Sequence, residues 1–484
     1  MGGMRAVAIE TTDSIPDVFA RRVAATPDAV AYRDYDAASS IWKDFTWRSA
    51  AEAVAVMRAG LAREELSPGD RVAIMSRNCR EWILFDQAAL ASGLVVVPIY
   101  SDDRPDNIAY CLDNAGVKLI LVEGGEQIRK LLPVLDRLQG LQRIICIKPT
   151  NEATEARVVS ITQWLEGAGS APARVKMDGN ALATVVYTSG TTGKPKGVML
   201  SHQNMLQDVR GGLGVYEVLE SDVFLSFLPL SHMLERTVGG YLTMAAGSTV
   251  AFARSIALLG EDFKSVRPTI IVSVPRIFEK LHGQIQSTLN SASSMKRSMF
   301  ERAHHVGWDM FEWKQGRGSW KPAFLLWPLL KALVADKLLE RLGGRLRLCI
   351  SGGAALNPQI ARTFIGLGLP ICQGYGLTEA SPIVSVNHLD RNDPASIGMV
   401  LPGIEVSLGK NQVLLVRGPT VMQGYWKDEE ATAKVISAEG WLDTGDQVMM
   451  KDGFLYITGR LKEIIVLGNG EKVPPVDMEL AIQL

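Results

Sequence analysis

The sequence predicts an α/β fold, with two packed α/β subdomains and a small β-rich, barrel-like subdomain. Three observations lead to this prediction: a length of 484 residues, strand and helix patterns that alternate between about residues 70 and 375, and a change of pattern near residue 393. A chain of this length is too long for one ordinary core, so more than one domain is expected.

Short apolar runs, each followed by a helical pattern, are typical of parallel sheets covered by helices. The runs lie at residues 71–76, 95–100, 118–122, 143–147, 183–187, 223–228, 249–252, 269–274 and 346–350. We therefore expect one α/β subdomain over residues 1–180 and a second over residues 181–392.

Beyond residue 393, short strands such as Val413–Arg417 alternate with glycine and proline turns, which predicts a β-rich subdomain over residues 393–459. The three subdomains are expected to form one large N-terminal domain, residues 1–460. The remaining residues, 461–484, are too few to form a domain of their own.

The composition argues against several classes of protein. The 51 lysines and arginines nearly balance the 52 acidic residues, so bulk electrostatic binding to nucleic acid is not expected. The five cysteines show no CxxC pair and no zinc-type spacing, which favours a reduced, cytoplasmic protein. No apolar run approaches the roughly 20 residues that a membrane-spanning helix needs.

The segment 287–342 is helical in its period and carries Trp308, Trp313, Trp320 and Trp327 among lysines and arginines. The first interpretation is a helical insertion packed on a sheet. The alternative is a face that rests on a membrane surface, with tryptophans at the interface and basic side chains outside it. Peripheral contact with the inner face of a membrane therefore stays open beside the cytoplasmic prediction.

The strongest local signal is the loop Tyr187-Thr-Ser-Gly-Thr-Thr-Gly-Lys-Pro-Lys-Gly197, which follows an apolar strand. Its glycines allow close backbone approach, and its amides, hydroxyls and lysines can hold phosphate oxygens. It is not a Walker P-loop, because two residues rather than four separate Gly190 from Gly193. The residues expected to face polyphosphate are Thr188, Ser189, Gly190, Thr191, Thr192, Gly193, Lys194 and Lys196.

Four further segments follow in order: Gly352-Gly-Ala-Ala-Leu356, Gln373-Gly-Tyr-Gly-Leu-Thr-Glu379, Trp441-Leu-Asp-Thr-Gly-Asp446 and Gly459-Arg-Leu-Lys462. Together with the loop they resemble the superfamily of adenylate-forming enzymes, which includes acyl-CoA synthetases, peptide-synthetase adenylation domains and firefly-type luciferases. The resemblance covers nearly the whole chain.

The resemblance implies an adenine site. The turn with Gly353 and Ala354 is the segment against which the base lies flat. Gln373, Gly374 and Tyr375 belong to the next motif, in which the tyrosine stacks on adenine. A planar phenol suits the face of a purine.

The resemblance also implies roles around the phosphates and the ribose. Thr378 bonds the α-phosphate, and Glu379 holds Mg²⁺, for which a carboxylate is a preferred ligand. Asp446, rather than Asp443, holds the position that accepts hydrogen bonds from both ribose hydroxyls. Arg460 lies near the ribose, and Lys462 is the pivot of a hinge.

The segment Leu228-Pro-Leu-Ser-His-Met-Leu-Glu235 resembles the family segment beside the acyl pocket. His232 is expected to shape this pocket, because a lone histidine is more often structural than catalytic. Val272-Ser-Val-Pro-Arg-Ile-Phe-Glu-Lys280, followed by the helical insertion, resembles the long-chain fatty acyl-CoA synthetases.

The implied activity is an AMP-forming ligase that activates a fatty acid with ATP and Mg²⁺ and passes it to coenzyme A. In this family the phosphate loop, Thr188 and Lys194 in particular, takes part in catalysis. Two alternatives remain: a ligase that delivers the acyl group to a carrier protein, and a non-catalytic nucleotide or lipid sensor. The family continues beyond the hinge into a small mobile α+β domain, so residues 461–484 are interpreted as the hinge and the first part of that domain, which is otherwise largely absent from this chain.

Overall fold

This computed structural model describes residues 7, 9–150, 155–188, 194–460, 465–466 and 472–473. Its strands are β1 (Val30–Asp36), β2 (Ile41–Thr46), β3 (Arg71–Met75), β4 (Val95–Pro98), β5 (Val117–Val122), β6 (Arg143–Cys146), β7 (Val158–Ser160), β8 (Leu182–Thr188), β9 (Lys196–Ser201), β10 (Val223–Ser226), β11 (Thr249–Phe252), β12 (Ile270–Ser273), β13 (Leu348–Ser351), β14 (Ile371–Gly376), β15 (Ile383–Val386), β16 (Met399–Val400), β17 (Glu405–Leu408), β18 (Val413–Arg417), β19 (Gly424–Tyr425), β20 (Leu442–Lys451), β21 (Phe454–Arg460), β22 (Ile465–Val466) and β23 (Lys472–Val473).

The α-helices are α1 (Ile15–Ala25), α2 (Trp47–Leu61), α3 (Arg80–Ala91), α4 (Pro105–Ala115), α5 (Gly125–Leu131), α6 (Ile161–Leu165), α7 (His202–Val215), α8 (Thr243–Ala246), α9 (Leu259–Val266), α10 (Pro275–Asn290), α11 (Ser294–Lys314), α12 (Trp327–Leu330), α13 (Asp336–Leu339), α14 (Pro358–Gly366) and α15 (Glu429–Val435). Short 3₁₀ helices lie at Ile9–Thr11, Leu132–Arg137, Pro322–Leu326, Glu340–Leu342, Thr378–Ala380 and Lys410–Gln412, and π-helical turns at Glu235–Leu242 and Lys331–Ala335.

The chain divides into two compact units. Unit 1 consists of Met1–Arg254, Thr378–Pro382 and Pro419–Lys434, and unit 2 consists of Ser255–Leu377, Ile383–Gly418 and Val435–Leu484. The chain crosses between the units several times, so neither unit is one continuous stretch of sequence. The subdomain boundaries expected from the sequence stay a prediction.

Unit 1 contains, among its described residues, an eight-stranded sheet in the order β19-β9-β8-β4-β3-β5-β6-β7. The strands from β8 through β4 to β7 pair in parallel, whereas β8–β9 and β9–β19 are antiparallel. Parallel strands are covered on both faces, which explains why β5 is an almost uninterrupted apolar run. A second run of strands, β10-β11-β1-β2, is parallel except for the β1–β2 pair.

An ionic network lies in the core of unit 1. The Arg236 guanidinium contacts the carboxylate of Asp86, which also accepts a hydrogen bond from the Tyr241 hydroxyl at 2.9 Å. Arg236 additionally donates to Thr184 Oγ1 on β8 at 2.8 Å. These side chains are fully buried, and a buried charge is tolerated only when its partners satisfy it. The network therefore ties α3 and the π-helical turn to the sheet.

Unit 2 contains the parallel strands β12, β13 and β14, which β15 and β16 continue in antiparallel pairing. Strands β17, β18, β20 and β21 form a four-stranded antiparallel sheet in that order. The predicted fold class is confirmed: the described residues contain large sheets with parallel strands and helices, and also a smaller antiparallel sheet.

The predicted helical insertion is present in unit 2 as α10 to α13. A Cβ atom on Gly307 of α11 would lie 1.9 Å from the carbonyl oxygen of Gly366 on α14 and 2.7 Å from the Trp327 ring, so only glycine permits this close packing. Ala303, Val306, Phe324 and Leu330 form a small core within the insertion. None of the described helices combines the length and the apolar character needed to cross a bilayer.

Candidate functional site

Three side chains that the sequence assigned to the nucleoside come together in unit 2. The Tyr375 hydroxyl, near the end of β14, donates a hydrogen bond to Asp446 Oδ2 at 2.6 Å. Arg460 Nε lies 2.9 Å from Asp446 Oδ1, because β20 and β21 pair Asp446 with Arg460. The carboxylate is largely buried, whereas the guanidinium is half exposed.

The environment keeps the tyrosine neutral. Burial, reinforced by the neighbouring Asp446 carboxylate, raises the pKa of Tyr375 well above its ordinary value. The phenol therefore remains a hydrogen-bond donor throughout the physiological pH range. Its hydrogen bond fixes both the ring and the carboxylate in one arrangement.

The structure separates the two aspartates of the Trp441–Asp446 motif. Asp443 is exposed and accepts a hydrogen bond from the backbone N–H of Gly445 at 2.8 Å, so it closes its own turn. Asp446 points to Tyr375 and Arg460. Asp446 is the aspartate of this motif that lies beside a ring suited to a purine.

The turn after β13 has the geometry expected of a platform for a base. Gly353 has a φ of +81°, a left-handed conformation that favours glycine, and Gly353 and Ala354 are exposed. The backbone N–H of Gly352 donates to the carbonyl of Ser273 at 3.0 Å, which holds the turn against β12. Open backbone is thus presented at the carboxyl end of parallel strands.

Gln373 supports this turn from below. Its Oε1 accepts the backbone N–H of Leu356 at 2.6 Å, and its Nε2 donates to the carbonyls of Pro394 and Ser396 at 3.0 and 3.2 Å. The buried amide is therefore occupied by backbone partners. A direct contact of Gln373 and of the adjacent Gly374 with nucleotide stays a prediction.

In unit 1, Glu379 and Lys196 both interact with the same aromatic residue, Tyr425. The Tyr425 hydroxyl donates to Glu379 Oε1 at 2.8 Å, and Lys196 Nζ lies 4.9 Å from the centre of the Tyr425 ring. Burial and the Glu379 carboxylate raise the pKa of Tyr425 far above its ordinary value. The 3₁₀ helix that carries Thr378 and Glu379 is fastened by the N–H of Met422, which donates to the Glu379 carbonyl at 2.9 Å.

The Glu379 carboxylate is chemically suited to bind Mg²⁺. Among the described residues, Tyr425 is the one group that hydrogen-bonds it, at Oε1, so Oε2 remains available to a cation. A carboxylate oxygen is the donor that Mg²⁺ prefers. The chemistry of this residue is therefore consistent with the predicted role, which stays a prediction.

The phosphate loop is carried by the β8–β9 hairpin, in which Thr188 lies opposite Lys196. Lys194 is exposed, and its Nζ lies 5.5 Å from the centre of the Tyr110 ring. Five predicted loop residues, Ser189, Gly190, Thr191, Thr192 and Gly193, lie outside the described residues, as does Lys462. The described ends of the loop place two cations at the mouth of the hairpin.

Glu235 is the first residue of the π-helical turn, and His232 lies just before it in the chain. His232 Nδ1 accepts the backbone N–H of Leu234 at 3.2 Å, and burial lowers the pKa of the imidazole, so His232 is neutral at pH 7. Glu235 is fully buried, and burial raises its pKa to about 8. A neutral, half-buried imidazole is suited to lining a pocket.

Comparison with known proteins decides the family. A family model described as AMP-binding enzyme matches residues 19–426. The chain belongs to this family.

Named relatives point the same way. A long-chain-fatty-acid–CoA ligase of Mycobacterium bovis is 32% identical over 462 residues, covering 94% of this chain and 75% of the relative. The peroxisomal long chain acyl-CoA synthetase 7 of Arabidopsis thaliana is 31% identical over 466 residues, covering 90% of this chain and 65% of the relative. The solved structure of a Mycobacterium tuberculosis fatty acyl CoA synthetase matches with a TM-score of 0.72 at 21% identity, over 96% of this chain and 82% of that one.

One residue of this AMP-binding enzyme was missed by sequence reasoning. Tyr425 links Lys196 to Glu379, yet it is 46 residues from Glu379 along the chain. The antiparallel β9–β19 pairing, which sets Tyr425 opposite Val198, brings it there. The Gly-Tyr-Trp sequence at 424–426 is an aromatic signal, but nothing in its spacing connects it with either partner.

Proposed function

We propose that this AMP-binding enzyme joins a long-chain fatty acid to coenzyme A through an acyl-adenylate and releases AMP and pyrophosphate. The observation that carries the proposal is the hydrogen bond between Tyr375 and Asp446. It holds a flat ring and a buried carboxylate side by side on two family motifs, which is the arrangement that an adenosine needs. The named long-chain ligases among the relatives support the choice of substrate.

The proposed adenosine contacts follow from the side chains. The Tyr375 ring stacks on adenine, above the open backbone at Gly353 and Ala354. Asp446 accepts hydrogen bonds from the ribose hydroxyls, and such charge-assisted bonds are stronger than those between neutral groups. Arg460 is half exposed, so it can turn from Asp446 towards the nucleotide.

The main obstacle to the reaction is electrostatic, because an anionic acid must approach an anionic triphosphate. Lys194 and Lys196 provide positive charge beside the loop that starts at Thr188, and preorganised donors of this kind lower such barriers. Mg²⁺ bound at Glu379 would neutralise charge on the phosphates. Tyr425 holds Glu379 in place for that role.

The bond changes are those of two successive substitutions. A carboxylate oxygen of the fatty acid attacks the α-phosphorus beside Thr378, and the bond from that phosphorus to the bridging oxygen breaks, releasing pyrophosphate. The deprotonated thiol of coenzyme A then attacks the acyl carbon, and the bond from that carbon to the phosphate oxygen breaks, releasing AMP. Holding the reactants in line supplies a large part of the rate enhancement.

The acyl side of the proposal rests on His232. A neutral imidazole adds no net charge to an apolar pocket, so it can shape the pocket without repelling an alkyl chain. The cytoplasmic location stays a prediction.

The proposal is tested by supplying ATP, Mg²⁺ and a series of saturated fatty acids of rising length, with and without coenzyme A. We expect pyrophosphate release that depends on the fatty acid, is greatest for long chains, and is accompanied by an acyl-CoA thioester detected by mass spectrometry. Pyrophosphate release with acyl transfer to a carrier protein but not to coenzyme A would favour the acyl-AMP ligase. Nucleotide binding without pyrophosphate release would contradict the enzyme assignment.

A further inference from the structure

The helical insertion of unit 2 carries an exposed apolar patch, defined by Trp313, Trp320, Leu325, Leu326, Leu329 and Leu333. Leu325 is 75% exposed, Leu329 is 60% exposed and Trp320 is 52% exposed. Single exposed apolar residues are ordinary on a protein surface, whereas a contiguous group marks an interaction site.

The leucines of the patch lie on one helical segment that is apolar on two sides. Phe324 and Leu330 point inward to the small core with α11, whereas Leu325, Leu329 and Leu333, at spacings of four residues, point outward. A helical segment that is apolar all round is normally covered on all sides. Among the described residues, nothing buries the outer side of this segment, although its apolar composition is typical of a buried surface.

Two tryptophans border the leucines. The centres of the Trp313 and Trp320 rings lie 5.8 and 6.3 Å from the centre of the Phe324 ring. Phe324 immediately precedes Leu325 in the chain. An indole combines an apolar body with one N–H donor, which suits the boundary between lipid and water. A protein partner would not require this arrangement of leucines at the centre and tryptophans at the edge.

The surroundings of the patch are basic. Residues 294–345 contain ten lysines and arginines against five acidic residues, in a chain whose formal net charge is −1. Lys314 and Lys337 are exposed, and no ion pair to either is found among the described residues. Basic side chains beside an apolar centre complement a surface of anionic lipid headgroups.

The patch is separate from the nucleotide residues of unit 2. A cavity of about 280 Å³ beside it is lined by Trp327, Lys331 and Pro370, and Pro370 immediately precedes β14. Tyr375 lies at the other end of this strand, about 16 Å further along at the usual rise per residue. Binding at the patch thus leaves the adenine and ribose side chains uncovered.

We propose that the exposed apolar patch docks this protein on the surface of an anionic lipid bilayer. Leu325, Leu326, Leu329 and Leu333 enter the boundary between headgroups and acyl chains, the two tryptophans lie at the level of the headgroups, and Lys314 and Lys337 contact lipid phosphates. The benefit of docking rests on the proposed function, because long-chain fatty acids partition into bilayers. The docking itself rests on the surface alone.

The experiment is co-sedimentation of the protein with vesicles of phosphatidylcholine alone and of phosphatidylcholine with an equal part of phosphatidylglycerol. The wild-type protein is expected to bind the anionic vesicles, and to bind them less at high salt. The double variant Leu325→Glu/Leu329→Glu should lower the partition coefficient at least about tenfold, because it removes apolar burial and adds repulsion. Lys314→Glu/Lys337→Glu should lose the preference for anionic lipid.

The matched control is Ile41→Glu on β2 of unit 1, since Ile41 is 54% exposed but lies outside the insertion. It should bind vesicles as the wild type does, and all variants should retain the wild-type circular dichroism and ATP affinity. Wild-type protein that binds neither vesicle, or a double variant that binds like the wild type, would overturn the proposal. So would light scattering that shows a lipid-free dimer dissociated by Leu325→Glu/Leu329→Glu, because the patch would then join two copies. Pyrophosphate release is scored separately, so failure of docking and failure of the proposed activity are distinguishable.

Discussion

Two of the tyrosine–carboxylate pairs in this protein, those at the predicted ribose and magnesium residues, share a design and differ in one respect. In unit 2 Tyr375 donates to Asp446, and in unit 1 Tyr425 donates to Glu379, at 2.6 and 2.8 Å. Both phenols have raised pKa values because of burial and the adjacent carboxylate. Only Asp446, however, also faces a guanidinium, that of Arg460.

The difference supports a different proposed role for each of the two carboxylates. A carboxylate surrounded by N–H and O–H donors is prepared for further donors such as sugar hydroxyls. A carboxylate held by one phenol at one oxygen, with its other oxygen available, is prepared for a cation. In the proposed function, a neutral tyrosine in each unit positions a carboxylate: Tyr375 positions the proposed ribose acceptor Asp446, and Tyr425 positions the proposed magnesium ligand Glu379.

The largest expected effect is that of Glu379→Gln. The amide keeps the size of the side chain but removes the charge that holds the metal, so fatty-acid-dependent pyrophosphate release should fall at least about a hundredfold. AMP affinity in calorimetry should change little, because AMP lacks the β- and γ-phosphates that the metal bridges. Equal losses for AMP and for Mg·ATP would count against the metal role.

Asp446→Ala should weaken AMP and ATP alike. Hydrogen bonds to a charged group contribute about 1.5 to 3 kcal/mol each, so a ten- to hundredfold loss of affinity is expected. Asp443→Ala is the matched control, since Asp443 is exposed and closes only its own turn. Unchanged nucleotide affinity in Asp446→Ala, or an equal loss in Asp443→Ala, would remove the ribose assignment.

Glu235 is a fully buried carboxyl that, unlike Asp446 and Glu379, has no tyrosine partner among the described residues, and it extends the comparison to pH. Its pKa is raised from 4.5 to about 8 in the folded protein, so the folded state holds a proton that the unfolded state has lost between these values. Its contribution to stability is complete below about pH 4.5 and is lost as the pH rises to 8. Relative to Glu235→Gln, the wild-type free energy of unfolding should fall by about 1 kcal/mol per pH unit in this window, measured by urea denaturation. Parallel pH profiles for the two proteins would show that Glu235 is ionised when folded.

The smallest expected effects come from removing the two hydroxyls. Tyr375→Phe keeps the ring but loses the hydrogen bond to Asp446, so AMP affinity should fall about two- to tenfold. Tyr425→Phe should leave AMP affinity unchanged and instead raise the Mg²⁺ concentration needed for half-maximal pyrophosphate release. If both variants changed AMP affinity, or both changed the Mg²⁺ requirement, the assignment of different roles to the two carboxylates would be wrong.

The fold class could be predicted from the sequence because its signals are local. An apolar run such as β5, or a turn residue such as Gly353, determines the backbone conformation of only a few neighbouring residues. The motifs also follow one another along the chain in the order that the family has. The position of Asp446 relative to Asp443 was also predicted from motif spacing, although its role stays a prediction.

What the sequence could not reveal depends on pairing between distant segments. Tyr425 reaches Glu379 through the β9–β19 ladder, and the Gln373 amide is filled by backbone groups from two loops. Leu325 and Leu329 likewise face outward because α11, a distant segment, packs against the other side of their helical segment. The hydrophobic periodicity alone left two alternatives for this segment, a packed helical insertion and a face that rests on a membrane. The exposed fractions of these side chains favour a segment that is packed on one side and available to a membrane on the other.

The most direct test of the account is exchange of labelled pyrophosphate into ATP, which reports reversible formation of an acyl-adenylate before any thiol is involved. We predict exchange that requires Mg²⁺ and a long-chain fatty acid, proceeds without coenzyme A, and falls at least about a hundredfold in Glu379→Gln. Exchange without added fatty acid, or acyl-CoA formation with release of ADP and phosphate instead of AMP and pyrophosphate, would contradict it.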